Sequence, residues 1–115
     1  MPDHPIEGQV ILLAGAQASV TLDRLSELVS LVDDHVRERR ERYERRFERV
    51  EADGTGYYLA DEEHWESVGD DLGLTDREVD AVRRTHAAQF RRDGRRLDRL
   101  EEFETALEIR DVVAA

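Results

Sequence analysis

The stretch Trp65 to Arg84, WESVGDDLGLTDREVDAVRR, sets the tightest limit on what this chain can fold into. Trp65, Val68 and Leu72 recur at helical spacing before Gly73, and Val79 and Val82 recur after it. A glycine at that point takes a positive φ at little cost and ends the first helix. Thr75 caps the second, with Glu78 placed to complete a capping box. Gly69 leaves room for a close crossing. The spacing predicts a tight helical corner with Trp65, Val68, Leu72, Leu74, Val79 and Val82 turned inward.

The rest of the chain reads as helical support for that corner. No proline occurs after Pro5, so ring geometry forbids a helix nowhere from Ile6 onward. Thr21 is an N-cap followed by Asp23, and Leu22, Val29, Val36, Tyr43 and Val50 recur every seven residues. With Leu25 and Val32 interleaved, the pattern predicts one long helix from Thr21 to about Glu51. Its first half, Leu22, Leu25, Val29, Val32 and Val36, is a candidate dimer seam. Arg39 and Arg46 then polarise the seam, and the second half reads as a solvated face supported by Glu38–Arg42 and Glu41–Arg45 pairs. Asp53-Gly54-Thr55-Gly56 ends the helix, and Tyr57-Tyr58-Leu59 is a short extended piece or a turn. Asp61 caps the helix that leads into the corner. Gly94 either ends the helix after the corner or is tolerated within it. A last helix carries Leu97, Leu100, Phe103 and Leu107, and the apolar tail from Ile109 docks. Residues 9–18, QVILLAGAQA, suit a buried strand or a buried helix, and their Leu, Ala and Gln favour the helix. The expected fold is all-α: residues 1–8 form a flexible tail, and residues 9–115 form a single small helical bundle with one long helix in its N-terminal half.

Charge sets the context. The chain has 28 Asp and Glu against 17 basic residues, every one of them Arg, for a net charge of −11. Carboxylates hold water when salt competes for it, so a halophilic, archaeal cytoplasm is the expected setting, and the acidity says little about partners. No positively charged leader precedes an apolar segment, and Val10–Ala16 is far shorter than the roughly 20 residues that span a bilayer. A cytoplasmic protein without membrane contact is expected. With no cysteine, disulfides and thiolate zinc sites are excluded.

Residues 65–84 resemble the helix-turn-helix of DNA-binding domains. In that frame Thr75, Asp76, Arg77, Asp80, Ala81 and Arg84 would face a major groove. Arg77, Arg83, Arg84, Arg91 and Arg95 form the candidate surface for nucleic acid or an acidic partner. The Trp, the LGLT turn and the late EEFETALEIRDV also look like a death-fold bundle, which implies a protein–protein interaction module. In composition the chain resembles small haloarchaeal proteins of unknown function. No phosphate loop or dinucleotide fingerprint is present, and His4, His35, His64 and His86 show no metal spacing. His35 reads as a surface residue and His86 as half-buried. The expected function is therefore a non-enzymatic helical interaction or regulatory module, with a protein partner or self-association. Its alternative is a helix-turn-helix DNA-binding regulator. No catalytic residue, cofactor, metal or small-molecule substrate is expected.

Overall fold

The computed structural model describes residues 4–115. Its elements run α1 (Gly8–Gln17), α2 (Leu22–Glu38), α3 (Arg40–Arg46), β1 (Glu48–Ala52), β2 (Thr55–Ala60), α4 (His64–Leu72), α5 (Asp76–Arg96), α6 (Leu100–Ile109) and β3 (Asp111–Ala114). The strands form one antiparallel sheet in the order β1-β2-β3. The fold is therefore mixed α/β, and the all-α expectation is wrong.

The error has a local cause. The long helix expected from Thr21 to Glu51 stops at Glu38, breaks at Arg39 (φ −116°, ψ 21°), resumes as α3 and then gives way to β1. Glu48-Arg-Val-Glu-Ala has ordinary helical propensity, but strand state is decided by what the segment pairs with. Asp53 (φ 51°) and Gly54 (φ 83°) both take positive φ, and Ala52 pairs with Thr55 across them. That is a two-residue hairpin loop of the kind Asp-Gly favours. It fixes the register that sets Val50 opposite Tyr57.

β2 is the middle strand, and it is buried on both faces. Tyr57 meets Phe90 of α5 at 4.9 Å between ring centroids, while Tyr58, on the opposite face, meets Tyr43 of α3 at 5.4 Å. Helices on both sides explain why β2 shows no apolar–polar alternation. The docking tail is β3, with Leu59 opposite Val112 and Tyr57 opposite Ala114.

α5 is the hub, touching α1, α2, α4, α6 and the sheet. Residues 9–18 are helical in α1, which turns Val10 and Ile11 inward. Within the expected tail, Ile6 is a core residue and Glu7 is tied to α5 by Arg96 at 2.8 Å and by the amide of Gln89 at 2.6 Å. The α2 seam lies inside the chain. Leu25, Val29, Val32 and Val36 are at most 2% exposed, and of the five seam residues only Leu22 reaches solvent.

The corner forms as expected. Gly73 takes φ 67°, Leu74 N–H donates to the Gly69 carbonyl at 2.9 Å, and the Thr75–Glu78 capping box closes. An added Cβ on Gly69 would stand 2.5 Å from a Val79 methyl, so the crossing needs glycine. Among the described residues no helix is long and apolar enough to cross a membrane.

Candidate functional site

Two concave surfaces carry chemistry. The first is a groove between α1 and α5. Ala14 of α1, Ala18 just after it, and Ala81, Ala87 and Ala88 of α5 give it a floor of small side chains, and its volume is about 450 Å³. Leu13 stands on one lip, and Leu12 and Leu13 are more than half exposed. Arg83, Arg84 and Arg91 stand on the other.

The expected arginine surface is placed by α5. Arg77, Arg84 and Arg91 are seven residues apart, which returns to nearly the same helix face, and Arg95 continues the line. All four are exposed and form one stripe of about 27 Å, 18 residues at 1.5 Å each. Arg83 leaves the stripe. It lies 2.5 Å from Asp80 and 3.8 Å from Asp111. Asp80 also holds Arg84 at 2.9 Å. Among the described residues Arg77, Arg91 and Arg95 have no ion-pair partner. Of the face expected to point into a DNA groove, Ala81 is buried at 3% exposure, because it packs in the core rather than outward. Asp76 is exposed.

The second surface is a pocket of about 170 Å³ between α3 and α4, closed at one end by the last turns of α2. Its floor is His35, Tyr43, Phe47, His64 and Val68. Arg39, Arg42 and Arg46 rise on the α3 side, and Glu63, Ser67 and Asp71 rise on the α4 side. Each set lies on one helical face, at spacings of three or four residues. Tyr43 Oη and His64 Nε2 are 2.6 Å apart, while His64 Nδ1 is buried without a partner among the described residues. Burial pushes His64 down to about 4 and Tyr43 up to about 12, so both are neutral near pH 7. His35 is lowered too, chiefly by burial, with Arg39 working in the same direction and Asp71, 3.6 Å from its Nε2, opposing.

His35 is 6% exposed rather than a surface residue, because it lies on the α2 face that α4 covers. His86 is 3% exposed rather than half-buried, since α5 is enclosed by the sheet and α4. Its Nδ1 accepts from the Ala114 N–H of β3 at 3.0 Å, and its ring lies 5.0 Å from Trp65. Among the described residues no group of three His, Cys, Asp or Glu is placed to hold a metal ion. Sequence reasoning missed the α3–α4 pocket. The visible signal was the face Arg39-Arg42-Tyr43-Arg46-Phe47, but nothing in it pointed to His64, which arrives through the hairpin.

The family model described as Domain of unknown function (DUF8048) matches residues 4–115. No curated protein and no solved structure matches the chain.

Proposed function

We propose that this chain, which belongs to the DUF8048 family, is a non-enzymatic interaction module that holds an acidic amphipathic helix in the groove between α1 and α5. The observation that carries the reading is charge placement. A chain of net charge −11 keeps three arginines without an ion-pair partner among the described residues in one exposed line, and one of them, Arg91, stands on the groove lip. Small residues on the floor admit the apolar side of a helix, and exposed Leu13 extends the apolar contact. Guanidinium groups accept carboxylates in a bidentate fork.

The acidic, lysine-free composition supports a halophilic cytoplasm as the setting. At 1 M salt the screening length is about 3 Å, so only direct Arg–carboxylate contacts would contribute there. The measurement is anisotropy of a labelled helical peptide with leucines at i, i+3 and i+7 and glutamates flanking them. Arg91→Glu is expected to weaken binding at least about tenfold, or roughly 1.4 kcal/mol. Equal binding by Arg91→Glu, or by a peptide with glutamine in place of glutamate, would sink the reading.

The arginine stripe also favours a second reading, a helix-turn-helix DNA-binding regulator. Against it stand exposed Asp76 at the start of α5 and Asp80, which occupies two of the arginines. Duplex DNA in the same assay separates the two, because DNA binding would depend on Arg77 and Arg95 but not on Leu13.

A further inference from the structure

The pocket between α3 and α4 lies on different elements from the α1/α5 groove, and the interaction reading leaves it unused. We propose that it binds a small amino-acid-like zwitterion whose apolar or aromatic body enters the pocket and whose charged ends meet the two lips.

Size comes first. An apolar cavity of about 150 Å³ holds a benzene ring. This one, at about 170 Å³, has the same capacity and opens at the rim. Phe47, Val68 and the edges of the Tyr43 and His64 rings offer a ring-shaped guest apolar and aromatic contact.

The lips then decide the charge. Arg46 is engaged by Asp61 at 3.1 Å, and Arg39 donates to the His35 carbonyl at 3.1 Å. Arg42 has no ion-pair partner among the described residues, and across the pocket neither does Glu63. Asp71 has only the neutral ring of His35 at 3.6 Å. A plain carboxylate would be drawn to Arg42 but would meet Glu63 and Asp71 on the facing wall, and a plain amine would meet three arginines. A carboxylate and an ammonium on one small molecule answer both walls. The floor adds a polar anchor, the hydroxyl of Tyr43 paired with His64.

The test uses the full chain and three probes of one body size: L-phenylalanine, 3-phenylpropanoate and 2-phenylethylamine. Binding is followed through the imidazole NMR signals of His35 and His64, with His86 as an internal reference remote from the rim. Saturable shifts of His35 and His64 with millimolar L-phenylalanine are expected, with affinity at least tenfold above either single-charge probe. Arg42→Gln should bring L-phenylalanine down to the level of 2-phenylethylamine, and Glu63→Gln should bring it down to the level of 3-phenylpropanoate. Both positions are exposed, so unchanged thermal melts will show that the fold survives. Three results would overturn the proposal: no saturable shift with any probe, 3-phenylpropanoate binding as well as L-phenylalanine, or equal shifts of all histidines including His86.

Discussion

Two glycines show what a single missing carbon does in this protein. Gly69 lets α4 cross α5, and the corner sequence makes that legible, because a small residue before a glycine turn has few other uses. Of the two readings Gly94 has in the sequence, a helix end or a residue tolerated within the helix, the structure shows the second and gives it a packing reason. It lies inside α5, where a Cβ would stand 2.8 Å from Phe103 Cδ2 and 3.3 Å from the Leu100 Cα. Phe103 cannot retreat easily, since its ring stacks on Phe90 at 4.1 Å and 8°. In an open helix Gly→Ala gains about 1 kcal/mol, whereas overpacking a full core costs about 1–3 kcal/mol. The second effect wins here. Gly94→Ala is expected to destabilise by about 1–2 kcal/mol in urea melts, and a stabilised variant would show that α6 shifts freely.

Among the elements, helix starts and stops are legible wherever they depend on a residue at the helix's own end, a capping side chain or a glycine of positive φ. Thr21, Thr75 and Gly73 all stand where the sequence put them. The strands are not, because their state depends on partners distant in the chain. β1 reads as helix by propensity, and β3 becomes a strand only because β2 offers it an edge. The one local clue is Asp53-Gly54, which reads equally as a helix stop and as a hairpin loop. The α3–α4 pocket is illegible for the same reason, since the hairpin is what carries His64 against Tyr43. The loop itself can be tested. A Cβ added at Gly54 would have nothing within 4 Å, so any penalty for Ala comes from its φ of 83° alone. Gly54→Ala is expected to cost about 1–2 kcal/mol in thermal or urea unfolding. A neutral result would mean that the loop relaxes to another turn type without loss of register.

Taken whole, the molecule is closed around neutral, buried imidazoles, and this sets its response to acid. Burial holds His86 down to about 3 and His64 down to about 4, against an ordinary value of 6.5. Between those limits the unfolded chain binds more protons than the folded one, so stability falls as pH falls from about 6.5 towards 3–4. Asp93, raised by burial although Tyr57 and Gln89 hydrogen-bond to it, acts in the opposite sense as pH rises above its ordinary value of 3.8. The net charge of −11 changes over the same range, so the useful quantity is a difference. His86→Asn retains a hydrogen-bond acceptor but does not titrate. It is expected to be less stable than wild type at pH 7, with the gap narrowing as pH drops to 4, measured by urea unfolding across the range. A constant gap would mean that His86 takes up its proton over the same pH range in the fold as in the unfolded chain.

β3 has a consequence for how the chain is made. It pairs with β2 only after the 50 residues from 61 to 110 have been synthesised. Until then the β1–β2 hairpin leaves the ribosome with one edge open and Tyr57 and Tyr58 uncovered, and the acceptor nitrogen of His86 waits for an amide that does not yet exist. Nothing upstream can finish the sheet early. The nascent chain therefore passes through a long interval in which its most adhesive strand is bare.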